Sequence, residues 1–107
     1  MEPPSSRLLQ TLQALRLCAL SDLRKCRSRV RRLARDLPTF DSVWIDALLQ
    51  ARKITPFQSQ RLESDDPMSL LVGPCLLVDR LGGGKWSTTY LARARAGDER
   101  CVLQQIA

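Results

Sequence analysis

The spacing of apolar residues changes once along the chain, and this change most constrains the fold. Across residues 8–37 apolar side chains recur every three or four positions, which is the period of one helix face. The later part instead has short runs rich in β-branched and aromatic residues, separated by glycine-containing turns. The polar segment Ser64–Pro67 lies between the two patterns. The sequence therefore predicts an α+β chain: a helical bundle at residues 1–63, a linker at 64–73 and a sheet at 74–107.

Capping signals divide the helical pattern into separate helices. Ser21 followed by Asp22 places a capping hydroxyl and an acidic first turn inside the pattern. Two helices are therefore predicted at about 6–18 and 22–37, rather than one long rod.

Two further helices are predicted before the linker. Ser42–Lys53 has helical periodicity, with Asp41 as its predicted N-cap. Thr55 and Gln58 form a capping box around Pro56, which is typical of a helix start and predicts a short fourth helix.

The composition excludes several kinds of catalytic and metal site. The 107 residues contain no histidine, which removes Ser/His and Cys/His catalysis and every histidine-containing metal site. The cysteines at positions 18, 26, 75 and 101 match no zinc or disulfide spacing, so we expect reduced, buried thiols and no metal ligands. There is neither a secretory signal pattern nor a run of about 20 apolar residues, so we expect a cytoplasmic protein outside the membrane.

The formal charge of +6 lies wholly in residues 1–60, because residues 61–107 are balanced. The second predicted helix carries most of the cations, namely Arg24, Lys25, Arg27, Arg29, Arg31, Arg32 and Arg35. One interpretation is contact with a nucleic-acid backbone. The other is a solvated face beside a buried stripe that includes Val30 and Leu33. No aromatic residue interleaves with the arginines, which favours the solvated face.

The later part predicts three strands. Leu76–Leu81, Trp86–Ala92 and Cys101–Ile106 are separated by a glycine triplet and by a turn at Ala96–Glu99. Short connections of this kind indicate an antiparallel meander.

The residues around the glycine triplet resemble the opening of a protein-kinase small lobe. The stretch from Gly73 reads Gly-Pro-Cys-Leu-Leu-Val-Asp-Arg-Leu-Gly-Gly-Gly-Lys-Trp-Ser-Thr-Thr-Tyr-Leu-Ala-Arg, and it resembles the family pattern L-G-x-G-x-x-G-x-V-Y-x-A. With the Thr-Pro-Phe-Gln helix start before it, the chain resembles the N-terminal region of bacterial, planctomycete-type serine/threonine kinases. The resemblance covers residues 40–107 and implies the first three strands of a small lobe.

The resemblance implies a degenerate nucleotide-binding site. Gly82 and Gly84 match the first two glycines of the loop whose backbone covers the ATP phosphates. The third glycine falls on Ser87, and the valine that packs on the adenine falls on Thr89. The lysine of the V-A-I-K pattern aligns with Gln104, whose neutral amide brings no cation to the phosphates.

Lys85, in the same loop, has two interpretations. It supplies the missing cation, as in kinases similar to the "with no lysine" group, or it is a solvated loop residue. The sequence has no H-R-D or D-F-G motif, so no catalytic residue is assigned. We therefore expect a pseudokinase-like or truncated piece that binds ATP weakly or not at all, with ATP binding reserved for a longer protein.

Partners follow from each interpretation. A kinase-like piece implies the remainder of a kinase domain, whereas a helical adaptor implies a protein partner. A nucleic-acid binder using the basic helix is the disfavoured alternative. An apolar sheet face carrying Leu76, Val78, Tyr90 and Leu103 is expected to need cover from the helical bundle or from a second copy of the chain. Self-association through the open sheet is therefore expected.

Overall fold

The α+β class is confirmed by a computed structural model of the chain, which describes residues 2–35 and 38–106. Contacts divide the chain into two units between Ile54 and Thr55. The sequence predicted this boundary after residue 63. In the structure, the helix that follows Thr55 belongs with the sheet and not with the helical bundle.

The first unit contains four α-helices within its described residues. They are α1 (Ser6–Leu15), α2 (Leu20–Lys25), α3 (Arg27–Ala34) and α4 (Asp41–Gln50). Each helix contributes side chains to one apolar core, which includes Leu8, Leu12, Leu15, Leu23, Cys26, Val30, Ala34, Trp44, Ile45 and Leu48.

Two helix boundaries differ from the prediction near residue 20. Helix α1 ends at Leu15 because Arg16 is left-handed, with φ of 53°. Helix α2 begins before the predicted cap at Ser21. Its N-terminal cap is Ala19, whose backbone N–H donates to the Asp22 carboxylate at 2.9 Å. Asp22 therefore indicated the helix start correctly, whereas the Ser21 hydroxyl does not cap the helix.

The single helix predicted at 22–37 is two helices, separated at Cys26. Helix α3 ends at Ala34, while residue 37 lies outside the described residues. Leu33 was predicted on the buried stripe but is 41% exposed, and Ala34 is buried instead. The buried stripe therefore continues from Val30 by a step of four residues to Ala34, whereas the prediction used a step of three residues to Leu33.

Helix α4 begins at Asp41 itself, with Phe40 as its N-cap residue. The Asp41 carboxylate accepts hydrogen bonds from the backbone N–H of Ser5, at 2.8 Å, and from the Ser5 hydroxyl. It therefore anchors the residue that caps α1 rather than capping its own helix. Helix α4 ends at Gln50, before the predicted end at residue 53, because Arg52 takes a positive φ of 59°.

The second unit is a sheet with one α-helix against it. Its residues 55–106 form α5 (Pro56–Leu62), a 3-10 helix (Pro67–Leu70) and four antiparallel strands in the order β1-β2-β3-β4. The strands are β1 (Leu71–Val72), β2 (Cys75–Gly83), β3 (Ser87–Ala94) and β4 (Arg100–Ile106). The three predicted strands are therefore joined by a fourth, short one, and the predicted linker at 64–73 contains the 3-10 helix and β1.

Helix α5 joins the sheet through its capping box. Thr55 and Gln58 cap the helix reciprocally, as predicted. The same two side chains also donate to β2: the Thr55 hydroxyl to the carbonyl of Val78 at 2.6 Å, and the Gln58 amide to that of Leu77 at 2.9 Å. Strand β2 has a register shift between Leu77 and Asp79, so these carbonyls lie at a bulge, where a strand bends away from regular pairing. The capping side chains of α5 therefore supply hydrogen-bond donors to the two carbonyls at the bulge.

Aromatic and cationic side chains complete this contact. The rings of Phe57 and Tyr90 lie 5.7 Å apart between centroids, and the Arg61 guanidinium lies 5.0 Å from the Phe57 ring centre. Arg61 also donates to the Ser69 hydroxyl at 2.9 Å.

The predicted apolar face of the sheet is partly confirmed. Leu76 and Tyr90 are buried, whereas Val78 and Leu103 are half-buried.

In the described part of the chain, no helix has the length and apolar character needed to cross a membrane.

Candidate functional site

Three of the six predicted site residues lie side by side across the sheet. Gly82 on β2 pairs with Thr89 on β3, and Thr89 pairs with Gln104 on β4. Directly paired residues point to the same side of a sheet, as do residues two apart on one strand, so Ser87 shares this side. The Gln104 side-chain amide donates to the Ser87 hydroxyl at 3.1 Å. We call the surface formed by Gly82, Ser87, Thr89 and Gln104 the Gln104 face.

The other two predicted residues lie in the hairpin that joins β2 to β3. The Gly84 N–H donates to the Ser87 carbonyl at 2.8 Å and closes the turn. The Lys85 ammonium lies 5.2 Å from the ring centre of Trp86, an indole that is 70% exposed. Lys85 is itself exposed, in a cation–π contact at the tip of the hairpin.

A groove of ≈ 410 Å³ runs along this tip. It is lined by Gly84, Lys85 and Ser87 from the predicted set, together with Thr88, Gln105 and Ile106. Gly82, Thr89 and Gln104 lie outside it. The structure therefore brings the predicted residues together as two adjoining groups, one on the Gln104 face and one around the hairpin tip.

Two of the predicted site residues are glycines that the fold does not require, a property that they share with Gly97 between β3 and β4. A Cβ at Gly82 or Gly84 would meet no heavy atom within 4 Å, and neither residue has a positive φ. Gly73 and Gly83 differ: Gly73 has φ of +58°, and a Cβ at Gly83 would lie 2.2 Å from the Arg80 guanidinium. The fold would therefore accept a side chain at Gly82 and at Gly84.

The Gln104 face has neither lysine nor arginine among its four residues. Gln104 is neutral, and its amide is already hydrogen-bonded to Ser87. Lys85, the nearest lysine along the chain, is directed to Trp86. At the position where the kinase pattern has a phosphate-binding lysine, this chain therefore has a hydrogen-bonded neutral amide.

A second concave surface lies in the first unit. A groove of ≈ 400 Å³ is lined largely by apolar side chains, including Pro4, Leu20, Leu23 and Trp44, with Arg24 and Arg27 also lining it. We call it the Trp44 groove. The Trp44 indole N–H donates to the Glu2 carbonyl at 3.2 Å, which fixes the indole and the N-terminal segment together. Leu20 is 49% exposed at this surface.

The basic helices present most of their cations to solvent. Arg24, Lys25, Arg27, Arg31, Arg32 and Arg35 are exposed, and Arg29 is half-buried. Lys53 pairs with Asp22 at 3.4 Å, and within residues 2–35 and 38–106 this is the one salt bridge found. Most of these cations are therefore open to solvent, and two of them, Arg24 and Arg27, line the Trp44 groove.

The cysteines do not all match the expectation of buried thiols. Cys26 is buried, and its thiol lies 3.9 Å from the Ala47 carbonyl. Cys18 is half-buried, and its burial raises the pKa of the thiol to about 11. Cys75 is also half-buried, but Cys101 is exposed. The prediction of burial is wrong for Cys101 because it lies on β4, whose far edge has no partner strand in the described chain.

No cluster of three or more acidic or cysteine side chains able to hold a metal ion occurs in the described ranges. The Trp44 groove could not be predicted from the sequence, because its lining comes from the N-terminal segment and from all four helices α1 to α4. Periodicity marked Leu23 and Trp44 as core, and no local pattern signals that a groove opens beside them.

No protein-family model matches the sequence, and neither curated proteins nor solved structures provide a match.

Proposed function

We propose that residues 74–107 form the opening of a kinase-like small lobe whose nucleotide-binding surface is degenerate, and that the chain by itself is not catalytic. The pairing of Gly82, Thr89 and Gln104 across β2, β3 and β4 carries this proposal. In the family that the sequence resembles, these positions all contact one nucleotide, so they must lie on one face. The residues were matched to the kinase pattern without knowledge of the strand register. The register supports the proposal because it places the three matched residues side by side.

The glycines give independent support. Gly82 and Gly84 need neither a positive φ nor close packing, and the absence of side chains at these two positions leaves their backbone accessible. A ligand that approaches backbone N–H groups, as a phosphate does in a glycine-rich loop, is one reason for such access. Gln104 in place of lysine then accounts for weak binding.

The test is a nuclear magnetic resonance titration of the full chain with Mg·ATP, because this method detects weak binding. We expect small shifts centred on the amides of Gly82, Gly84 and Thr89. Gln104→Lys should raise the affinity about tenfold, since a cation beside the phosphates contributes about 1.4 kcal/mol. Val102→Lys is the matched control: Val102 lies on the same side of β4, two residues away, and is 62% exposed.

Shifts that avoid the Gln104 face would contradict the proposal. An equal gain in affinity for Gln104→Lys and Val102→Lys would also contradict it, because non-specific attraction by any added cation would then suffice. If the wild-type chain binds ATP measurably, Lys85→Ala separates the two interpretations of that residue. Loss of binding would mean that Lys85 leaves Trp86 to reach a phosphate.

A second candidate function is favoured by the Trp44 groove. We propose that the first unit is a protein-interaction module that binds an acidic peptide with an apolar anchor. The lining is mostly apolar but includes Arg24 and Arg27, and helices α2 and α3 carry further exposed cations. Complementary charge and an apolar pocket together specify this class of peptide.

A labelled peptide with leucine or phenylalanine among glutamates tests this candidate by fluorescence polarisation. Leu20→Ser should weaken binding at least about fivefold by removing apolar surface, and Arg24→Glu should weaken it through charge. Arg32→Glu is the matched control, since Arg32 is exposed but does not line the groove. If Arg24→Glu and Arg32→Glu are equally damaging and a DNA duplex competes with steep salt dependence, a nucleic-acid backbone is the ligand instead.

A further inference from the structure

Strand β4 lies at one edge of the sheet, and no further strand of the described chain pairs with it. It pairs with β3 in continuous register from Arg100 to Ile106, so it presents a regular backbone edge. Proteins usually protect such an edge with a charge, a proline or a bulge. From Cys101 to Ile106 the sequence has neither a charged residue nor a proline, and this edge is therefore open to pairing.

The side chains of β4 make one side of this edge apolar. Val102 and Ile106 are 62% and 78% exposed, and both lie on the side of the sheet that carries Gln104. Leu91 on β3 pairs with Val102 and is half-buried, so the apolar surface continues into the sheet. Two β-branched side chains four residues apart are therefore exposed beside a strand edge that can still accept a partner.

A second, antiparallel copy of β4 fits this pattern in one register. When two identical strands pair about a twofold axis, the numbers of the opposed residues have a constant sum. An axis centred on Gln104 places Val102 of each copy opposite Ile106 of the other, and Gln104 opposite its own copy. A shift of the axis by one residue in either direction would instead oppose Gln104 to one of these two apolar side chains.

We propose that the chain self-associates as a symmetric dimer in which β4 pairs with β4 of a second copy, centred on Gln104. The two sheets then form one continuous antiparallel sheet, and Val102 of each copy is covered by Ile106 of the other. Opposed side chains in such a pair have Cβ atoms about 5 Å apart, which is contact range for valine and isoleucine. The assembly closes at two chains, because each copy uses the edge of the other and the opposite edge, β1, has only two residues.

The size of this interface predicts a weak dimer. The paired residues 102–106 span about 17 Å, and pairing along that length buries less than the roughly 1,200 Å² of a standard interface. We therefore expect a dissociation constant on the order of 100 µM. The dimer requires neither nucleotide nor peptide, so its failure is distinguishable from the failure of either proposed function.

Sedimentation velocity of the full chain without nucleotide, from about 10 µM to about 1 mM, tests the dimer. We expect a reversible shift from monomer to dimer as the concentration rises. Val102→Lys should raise the dissociation constant at least about tenfold, because it places an ammonium group opposite Ile106 in both pairs. Leu81→Lys is the matched control: Leu81 is 56% exposed on β2, away from the β4 edge, and the same added charge there should leave the dimer unchanged.

Mixtures of variants test the register. Val102→Lys and Ile106→Glu chains, mixed in equal amounts, should form a heterodimer, because the new ammonium of one chain lies opposite the new carboxylate of the other. A mixture of Val102→Lys with Val102→Glu is the matched control. It should stay monomeric, since the two new charges do not face each other when the axis is centred on Gln104.

A chain that stays monomeric at about 1 mM would overturn the proposal and leave this edge to a strand from another protein. Open-ended aggregation, or a dimer that Val102→Lys and Leu81→Lys weaken equally, would also overturn it. Heterodimers of equal strength in the two mixtures would contradict the register. If a variant fails to fold, hydrogen exchange of the wild-type chain decides: the amides of residues 102–106 must gain protection as the concentration rises, and unchanged protection there would exclude β4 from the interface.

Discussion

The hydroxyl of Thr55 donates a 2.6 Å hydrogen bond to the carbonyl of Val78, at the bulge of β2. The same hydroxyl accepts from the Gln58 N–H at 3.1 Å and so caps α5. Thr55→Ala removes both interactions, and we expect it to lower the free energy of unfolding by about 2 kcal/mol. Thr55→Ser keeps the hydroxyl and should retain most of this stability. Urea denaturation followed by circular dichroism measures both, and equal losses would contradict the role assigned to the hydroxyl.

Identical substitutions at two leucines test the packing of the first unit. Leu48 in α4 is fully buried, whereas Leu33 in α3 is 41% exposed. Leu48→Ala should destabilise the chain by about 3 kcal/mol, because it leaves a cavity in the core. Leu33→Ala should cost about 0.5 kcal/mol or less, despite the helical period that marks Leu33 as buried. Thermal denaturation measures both changes. A large loss of stability for Leu33→Ala would contradict the exposed position of Leu33 and favour the buried position predicted from the sequence.

Asp22 makes the stability of the first unit depend on pH. The N–H of Ala19, followed by the Lys53 ammonium, holds the pKa of this carboxyl below its usual value of 3.8. A carboxyl whose folded pKa is lowered stabilises the protein above the unfolded pKa, and this contribution is lost as the pH falls through the folded pKa. Asp22→Asn should therefore lower stability by about 1 kcal/mol at neutral pH and by much less at about pH 3. A difference between the two chains that stays constant across this range would contradict the assignment.

Two glycines are expected to respond oppositely to alanine. Gly82 has open space at its Cβ position and no positive φ. Gly82→Ala should leave stability unchanged or raise it by up to about 1 kcal/mol, because alanine restricts the unfolded chain. Gly73 has φ of +58°, so Gly73→Ala should lower the free energy of unfolding by about 1 kcal/mol. If Gly82→Ala is strongly destabilising, the glycine has a structural role and no longer supports a ligand-access surface.

Local signals were interpreted correctly at the start of α5 but not at the predicted caps Ser21 and Asp41. The capping box of Thr55 and Gln58 predicted the start of α5, since its hydrogen bonds join residues three apart. The end of α1 was placed too late, because Arg16 adopts a left-handed φ that its residue type does not favour.

Features that depend on contacts between distant residues could not be predicted in this way. The carbonyls of Leu77 and Val78 accept from α5 because of a bulge that no turn residue marks. The pairing of Thr89 with Gln104 depends on strand register. The predicted residues of the Gln104 face were chosen by resemblance, and their common side of the sheet became evident only from the register.

The helix cap on the β2 bulge determines where the chain can be cut. A fragment beginning at the polar Ser64–Pro67 segment would discard α5, leaving the Leu77 and Val78 carbonyls without their side-chain donors and the Tyr90 ring without Phe57. A fragment beginning just before Thr55 keeps all of these contacts. Recombinant expression of the sheet on its own should therefore start ahead of this threonine, and a protease that nicks the chain after residue 63 would release an aggregation-prone sheet rather than a stable domain.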